Sequence, residues 1–315
     1  MNRLTLFICL LLVIGGAAMG GTADKSPDKY PLDIEDIRIR DPFIAVSGGK
    51  YYMSGTHRGD AFSVWESPDL KHWSEPHTVF AARKGFWGTT NFWAPELHEY
   101  RHHWYLFGSA FAEGVNRGTQ IFVARSPLGP FIPLGSKPQT PGEWMSLDGT
   151  LYVDRNGAPW MVFCHEWVQV RDGEVCAVRL TKDLSRPVGE PILLFRASEA
   201  PWAAGFGSSG GLVTDGPFIY ESSKGFLVML WSSFDSEGKY NVGLAVSDKV
   251  QGPWRQLSRP LFRDHGGHSM VFRDLKGRYC CVFHCPNSPG GQERARIYEI
   301  SEDEHGIPVL GDRLY

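Results

Sequence analysis

The sequence predicts an all-β protein, a five-bladed β-propeller with four antiparallel strands in each blade. A hairpin unit recurs five times, at spacings of about 50 to 67 residues. A further apolar strand follows each hairpin and ends in a turn. The composition agrees, because 36 Gly and 21 Pro among 315 residues suit many short strands joined by tight turns.

The five hairpins share one pattern. Most begin with a small residue and a polar or acidic position, and each then continues as a short apolar strand. After a turn at Gly or a polar cluster, the chain returns through an aromatic-rich strand. The segments are RDPFIAVSGGKYYMSGT from Arg40, APELHEYRHHWYLFGSA from Ala94, LDGTLYVDRNGAPWMVFCHE from Leu147, TDGPFIYESSKGFLVMLWSS from Thr214 and GGHSMVFRDLKGRYCCVFHCP from Gly266.

The third strand of each unit alternates apolar and polar residues before a turn. These strands read FSVWESPDLKHW, IFVARSPLGPF, VCAVRLTKDLSRP, VGLAVSDKVQGPW and ARIYEISEDEHGIP. A short fourth strand after each turn would complete a blade. One blade cannot bury both of its faces alone, so its neighbours must cover them. Residues 34–315 are therefore predicted to form a single propeller domain.

The N-terminus predicts export to the periplasm or the outside of the cell. Residues 1–23 resemble a signal peptide, because the apolar run Leu4–Ile14 is too short to span a bilayer and small residues follow it. An uncleaved anchor is the alternative, and no stable membrane insertion is expected after cleavage. Residues 24–33 are predicted to be a flexible lead-in. An oxidising compartment leaves open a disulfide between Cys164 and Cys176.

The formal charge of −3 gives no basic surface for nucleic acid. The functional signal lies instead at the start of the first strand of each unit. In such a propeller these strands are innermost, and their starts point at one mouth of the central channel. The side chains expected to meet there are Asp41, Glu96 or its neighbours, Asp148, Asp215 and His268.

Asp before Gly or Pro is also an ordinary turn residue. Repetition at the same point of three blades nevertheless favours a site, because clustered acids repel one another and are costly to desolvate.

Five motifs in these units resemble those of glycoside hydrolase family 43. They are RDP at 40–42, WAPE at 93–96, LDG at 147–149, DGP at 215–217 and GGH at 266–268. The resemblance covers nearly the whole chain after the N-terminal segment. It implies a secreted five-bladed propeller that hydrolyses O-glycosyl bonds with inversion. The implied substrates are arabinose- or xylose-containing plant-type polysaccharides and oligosaccharides.

The resemblance also implies roles for the acids. Asp41 matches the general base, Asp148 matches the residue that tunes and orients the acid, and Asp215 stands at the general-acid position. The sequence departs from the family there, because Asp replaces the usual Glu. Glu166, at the predicted end of a strand, is the alternative acid or simply a surface residue. The shorter Asp215 side chain also supports a second hypothesis, a non-catalytic or degenerate carbohydrate-binding propeller.

Carbohydrate is the predicted partner, and sugar rings stack on aromatic side chains. The predicted substrate-binding residues are Trp93, Glu166, Trp167, His57 and Phe234. The resemblance implies that no cofactor is required, and that His268 helps to hold a structural calcium or sodium ion in the central channel. A glycoside phosphorylase or transferase is a third alternative, and it would need clustered Arg or Lys at the same mouth.

Overall fold

The computed structural model describes residues 29–315, so the predicted signal peptide over residues 1–23 lies outside the described part. Twenty-two strands make up most of this part of the chain. Twenty of them form five four-stranded antiparallel sheets, and in each sheet the strands lie side by side in chain order as one blade. This confirms the predicted all-β, five-bladed propeller. No helix within residues 29–315 is long and apolar enough to cross a membrane.

The first three blades follow one another along the chain. A small sheet pairs β1 (Leu32–Asp33) with β5 (His72–Trp73). Blade 1 contains β2 (Arg40–Ser47), β3 (Lys50–Thr56), β4 (Ala61–Ser67) and β6 (His77–Ala81). Blade 2 contains β7 (Thr90–Tyr100), β8 (His103–Ala112), β9 (Val115–Ala124) and β10 (Ile132–Pro133). Blade 3 contains β11 (Ser146–Val153), β12 (Pro159–His165), β13 (Glu174–Leu180) and β14 (Pro187–Arg196).

The last two blades complete the ring. Blade 4 contains β15 (Asp215–Glu221), β16 (Leu227–Phe234), β17 (Tyr240–Ser247) and β18 (Arg255–Gln256). Blade 5 contains β19 (Gly267–Arg273), β20 (Tyr279–Cys285), β21 (Arg294–Glu302) and β22 (Pro308–Arg313). A short helix, α1 (Trp167–Val170), follows β12. The first strands of neighbouring blades contact one another, which places them innermost as predicted.

The residues just before blade 1 are packed rather than free. Tyr30 is buried, and its hydroxyl donates to Glu66 at 2.8 Å. Leu32–Asp33 pairs with His72–Trp73. The prediction of a flexible lead-in over residues 24–33 is therefore wrong for residues 30–33. Their partners lie some forty residues away in blade 1, and no local pattern reveals such a contact.

Ion pairs close the ring between blade 5 and blade 1. The buried Glu293 carboxylate accepts from the guanidinium groups of Arg38, at 3.1 Å, and Arg40, at 3.2 Å. Glu35 pairs with Arg296 of β21 and with Arg313 of β22. Backbone contacts join blade 5 to the start of blade 1 as well, because Arg38 bridges Arg294 and the N–H of Ile39 donates to the carbonyl of Glu293 at 3.2 Å.

The two cysteines of blade 3 lie on opposite faces of its sheet. Cys164 packs in the core shared with blade 4, whereas Cys176 packs in the core shared with blade 2. Both thiols are free. The disulfide left open by the sequence is therefore not formed, because side chains on opposite faces of a strand pair cannot meet.

Candidate active site

A β-bulge interrupts the first strand of every blade near its start. The pairing register shifts between Arg40 and Phe43, Trp93 and Glu96, Leu147 and Thr150, Asp215 and Phe218, and Gly267 and Met270. The second residue of each bulge has a positive φ: Asp41 (54°), Ala94 (44°), Asp148 (56°), Gly216 (52°) and His268 (57°). This conformation costs an L-residue about 1–2 kcal/mol. Its presence in all five blades shows that the surrounding fold imposes it.

The bulges place Asp215 one residue earlier than the other two acids. Asp41 and Asp148 are the second residues of their bulges, but in blade 4 that position belongs to Gly216. The expectation that three acids occupy the same point of three blades is therefore wrong for Asp215. Glycine is required at 216, because a Cβ there would lie 2.7 Å from Cγ of His268. The Asp215 side chain therefore reaches the site from the first residue of its bulge, whereas Asp41 and Asp148 are the second residues of theirs.

The three acids line one cleft of about 390 Å³ at the mouth of the central channel. The remaining lining residues combine arginines, histidines and aromatic rings. They are Arg38, Arg40, Thr56, His57, Arg58, Gly59, Trp93, Leu147, Tyr240 and His268. The structure therefore brings together Asp41, Asp148, Asp215 and His268 from four blades, with Trp93 and His57 beside them.

Asp41 is held as a carboxylate. The hydroxyl of Thr56 donates to Oδ2 at 2.6 Å, and Nδ1 of His268 lies 3.3 Å from Oδ1. Burial acts to raise the pKa of Asp41. The neighbouring His268, His284 and Arg40 outweigh burial and lower this pKa to about 2. Asp41 is therefore ionised throughout the range in which a general base must act.

His284 supports Asp41 through the backbone. The N–H of Asp41 donates to Nδ1 of His284 at 3.1 Å, so that nitrogen carries no proton. Nε2 of His284 lies 3.0 Å from Oδ1 of Asn287 and therefore donates to it. Burial lowers the pKa of His284 to about 4, which agrees with a neutral ring.

Asp148, which is buried, and Asp215, which is half-buried, form an acidic pair. Oδ2 of Asp148 accepts the backbone N–H of Gly216 at 3.0 Å, and Oδ2 of Asp215 accepts the hydroxyl of Tyr240 at 2.9 Å. Burial and then the charge of Asp41 raise the pKa of Asp148 well above its usual range. Burial and then Asp148 raise the pKa of Asp215 to about 7. The pair consequently titrates as a unit and retains a proton near neutral pH.

Tyr240 is a site residue that sequence reasoning missed. Its ring lies 5.7 Å from the ring of His284, and its backbone N–H donates to Nδ1 of His265 at 3.2 Å. A Cβ on residue 267 would lie 2.4 Å from the Tyr240 ring, so Gly267 makes room for it. No local motif marks Tyr240, because it lies in the third strand of blade 4 and its hydroxyl reaches Asp215 in the first strand.

Glu166 is buried and ion-paired. The strand β12 ends at His165, and Glu166 stands just before the helix Trp167–Val170, so it is neither a strand residue nor a surface acid. Both of its oxygens bind Arg117, whose guanidinium lies 4.3 Å from the ring centre of Trp93. Burial raises the pKa of Glu166, and Arg117 acts in the opposite direction. Arg117 was also missed, because it lies in the neighbouring blade.

The predicted substrate-binding residues divide into two groups. Trp93 and His57 line the cleft, and Nδ1 of His57 donates to a backbone carbonyl at 3.3 Å. Trp167 and Phe234 lie beside the cleft, in an aromatic cluster that includes Tyr240. Their role in substrate binding stays a prediction.

Glu96 does not belong to the cleft. It follows the bulge of blade 2 by two residues, is buried, and lies 2.9 Å from Nε2 of His98. Trp93 and Ala94 occupy the places equivalent to the first and second bulge residues. The prediction for blade 2 named Glu96 or its neighbours. It is wrong for Glu96 itself, and the neighbour that lines the cleft is Trp93.

The predicted metal role of His268 is not supported by a ligand cluster. Within residues 29–315, no group of three or more His, Cys, Asp and Glu residues that could hold a metal ion is found. Nδ1 of His268 instead lies between Asp41, at 3.3 Å, and Asp148, at 3.6 Å. The metal role of His268 stays a prediction.

The arginines at the cleft are engaged by carboxylates. Arg38 and Arg40 share Glu293, and Arg58 forms two hydrogen bonds to Asp60, each of 3.0 Å. A phosphate ion would have to compete with these carboxylates for the guanidinium groups. This arrangement does not favour the phosphorylase alternative.

Comparisons with known proteins agree with this architecture. The sequence model of the family described as glycosyl hydrolases family 43 matches residues 34–304. A solved endo-arabinase from Bacteroides thetaiotaomicron VPI-5482 is 46% identical, with a TM-score of 0.83, and the match covers 87% of this chain and 98% of that chain. A solved endo-1,4-beta-xylanase from the same organism is 25% identical, with a TM-score of 0.73, over 88% of this chain and 95% of that chain.

A curated relative gives a further comparison. The extracellular exo-alpha-(1→5)-L-arabinofuranosidase of Streptomyces chartreusis is 26% identical over 280 residues, which are 80% of this chain and 81% of that protein.

Proposed function

The chain belongs to glycosyl hydrolase family 43 and is a glycoside hydrolase; from that premise we propose that it cleaves arabinose-containing chains with inversion, using Asp41 as base and Asp215 as acid. One observation carries the assignment of roles. Two carboxyl groups in the same cleft have pKa values shifted in opposite directions, to about 2 for Asp41 and about 7 for Asp215. Such a separation is what acid and base partners require.

The proposed reaction is a single displacement. Asp41 accepts a proton from a water molecule while the water oxygen bonds to the anomeric carbon. The bond from that carbon to the leaving oxygen breaks, and Asp215 donates its proton to this oxygen. Because Oδ2 of Asp215 accepts from Tyr240, the proton that is donated resides on Oδ1. Asp41 then releases a proton to solvent, and Asp215 takes one up.

Asp148 supports the acid from a neighbouring blade. When Asp215 holds the proton of the pair, the ionised Asp148 makes loss of this proton unfavourable, and its hydrogen bond from Gly216 ties Asp148 to the residue next to the acid. Glu166 is the weaker candidate for the acid, since Arg117 engages both of its oxygens. In the proposed function Glu166 and Arg117 hold Trp93, whose ring forms part of the cleft wall.

The sugar is proposed from similarity. The endo-arabinase relative shares 46% identity, against 25% for the xylanase relative, so arabinose is the first choice and xylose the second. We also propose that the chain acts outside the cytoplasm, as the name of the Streptomyces chartreusis relative says of that protein.

Hydrolysis of 4-nitrophenyl α-L-arabinofuranoside, 4-nitrophenyl β-D-xylopyranoside and linear α-(1→5)-arabinan tests this proposal. Asp41→Asn should reduce turnover of every active substrate about 10²- to 10⁴-fold, the usual contribution of a general base. Asp215→Ala should do the same to arabinan, whereas the aryl glycosides should lose less activity, because their nitrophenolate leaving group needs little protonation. NMR of the first product should show the inverted anomer.

Glu166→Ala is the matched comparison for Asp215→Ala. If Glu166→Ala abolishes turnover and Asp215→Ala does not, the acid is Glu166 and the assignment of Asp215 is wrong. If the unaltered chain binds arabinan without cleaving it, the catalytic role of the cleft is wrong and a carbohydrate-binding propeller remains.

A further inference from the structure

We propose that Phe206 forms a binding platform for the leaving part of a sugar chain, on the side of the cleft where Asp215 lies. Sequence reasoning did not single out Phe206, and the residue lies outside the cleft that holds the acids. The proposal rests on the proposed function, because a leaving sugar exists only if the chain cleaves glycosidic bonds. It specifies a substrate longer than one sugar unit.

The topology places Phe206 on the face that carries the acids. The connection over residues 197–214 joins blade 3 to blade 4 and is the longest link between blades in the described part of the chain. It leaves β14 at Arg196, which pairs with Glu174, and Glu174 pairs in turn with His165. His165 pairs with Ser146 at the start of the innermost strand. The connection therefore crosses the same end of the propeller as the cleft.

The ring of Phe206 is open on one side and supported on the other. It stacks on Phe234, with ring centres 3.9 Å apart and planes at 21°, and it meets the edge of Trp167 at 6.3 Å. Phe206 remains 39% exposed. An aromatic ring with one face packed against protein and the other in solvent is a suitable surface for the C–H face of a sugar.

The loop that carries this ring is held in place by backbone contacts. The N–H of Phe206 donates to the carbonyl of Gly211 at 2.8 Å, and the N–H of Ala204 donates to the carbonyl of Phe234 at 2.8 Å. A Cβ at residue 211 would lie 2.3 Å from the ring of Trp167, so Gly211 allows the loop to lie against this ring. The platform is thus formed before any ligand binds.

Aromatic contacts connect the platform to Asp215. The rings of Phe234 and Tyr240 are 5.0 Å apart, and the hydroxyl of Tyr240 donates to Asp215 at 2.9 Å. The acid gives its proton to the oxygen of the departing sugar, so the departing chain must lie on this side of the cleft. Tyr240, Phe234 and Phe206 thus contact one another in turn from Asp215 outward, and Phe206 is the exposed member.

Tyr279 provides a matched control. It is an exposed aromatic residue, 59% accessible, at the start of β20. It pairs with Arg273 at the far end of β19, so it lies on the face opposite the acids. Tyr279→Ala removes a ring of similar size without altering the face that carries the cleft.

The kinetic test compares a short substrate with a chain. Phe206→Ala should lower kcat/KM about three- to tenfold on α-(1→5)-linked arabinotriose, the factor expected for one lost stacking contact. It should leave 4-nitrophenyl α-L-arabinofuranoside within about twofold, because this substrate has no second sugar. Phe206→Trp should retain the activity on arabinotriose, and Tyr279→Ala should change neither substrate. Equal losses on both substrates, or no loss on arabinotriose, would overturn the proposal.

A binding measurement separates this proposal from the proposed function. Arabinotriose and xylotriose are titrated calorimetrically into Asp41→Asn and into the double variant with Phe206→Ala. A three- to tenfold weaker affinity of the double variant for either trisaccharide supports the platform, even if the unaltered chain hydrolyses nothing. Equal affinity of the two variants, or no binding of either trisaccharide, overturns it.

Discussion

The junction between blades 3 and 4 differs from the other four junctions of the ring. At four junctions the N–H of the second bulge residue donates to a side chain on the second strand of the preceding blade. These pairs are Ala94 to Thr56 at 2.7 Å, Asp148 to Ser109 at 3.0 Å, His268 to Ser232 at 2.8 Å and Asp41 to His284 at 3.1 Å. At the remaining junction the N–H of Gly216 donates to the carboxylate of Asp148.

Cys164 explains the difference. It pairs with Leu147, just as Thr56, Ser109, Ser232 and His284 pair with the first bulge residues of their own blades. A thiol is a weak hydrogen-bonding group. The amide of Gly216 is therefore satisfied by the nearest strong acceptor, which is Oδ2 of Asp148.

The comparison shows where stability and chemistry are coupled. Four junctions use side chains other than carboxylates, and two of these, Thr56 and His284, also contact Asp41. The fifth uses an acid of the cleft, so the same contact fixes the ring and orients the residue that tunes Asp215. Substitutions at the two kinds of junction should separate these effects.

The largest effect is expected at Asp148. Asp148→Asn keeps an acceptor for the N–H of Gly216 but removes the charge, so kcat/KM should fall by on the order of 10²-fold with little loss of stability. The pKa of Asp215 should also fall. Activity requires protonated Asp215 and is lost as pH rises through this pKa, so the alkaline limb should move to lower pH. A pH profile of kcat/KM checks this.

Asp148→Ala is the matched comparison. It also leaves the N–H of Gly216 without a partner, which should lower the free energy of unfolding by about 1–3 kcal/mol more than Asp148→Asn does. Urea unfolding of both variants measures the difference. Equal stability of the Asn and Ala variants would contradict the role of Asp148 in holding the junction.

At the junction held by Ser232, a substitution should change stability but not the pH profile, which is the reverse of the result expected for Asp148→Asn. Ser232→Ala leaves the N–H of His268 without a partner, and the free energy of unfolding should fall by about 1–3 kcal/mol. Because Ser232 bears no charge, the position of the pH profile should not move. A shift of the alkaline limb in Ser232→Ala would show that neutral junctions also tune the acid.

Tyr240→Phe tests the contact at the acid itself. The lost hydrogen bond stabilises the carboxylate form of Asp215, so its pKa should rise further above about 7. The alkaline limb of kcat/KM should then move to higher pH by about one unit. This direction is opposite to that expected for Asp148→Asn. A shift to lower pH would rule out the assigned hydrogen bond.

The smallest effect is expected at Cys164. Cys164→Ser introduces a hydroxyl that competes with Asp148 for the N–H of Gly216, so kcat/KM should fall by a few-fold, about the effect of weakening one hydrogen bond. Cys164→Ala offers no competitor and should keep kcat/KM unchanged. If the two variants have the same kcat/KM, the thiol is not the reason for the unusual junction.

Much of the fold could be predicted from the sequence. The five hairpins and their third strands repeat with the two-residue period of half-buried strands, and only stacked blades bury such units. The meeting of Asp41, Asp148, Asp215 and His268 follows from the same reasoning, because the starts of innermost strands share one mouth. Residues 30–33 could not be assigned, since their packing depends on blade 1.

The sequence by itself determined the number of blades, the mouth that carries the acids and the family motifs. Only the tertiary structure decided that Asp215 stands one residue before the bulge position, that Tyr240 binds it, and that Cys164 leaves Gly216 to Asp148. The physical reason is that a repeat in sequence specifies which strands form, whereas bulge positions and contacts between blades depend on which backbone groups find partners once the ring closes.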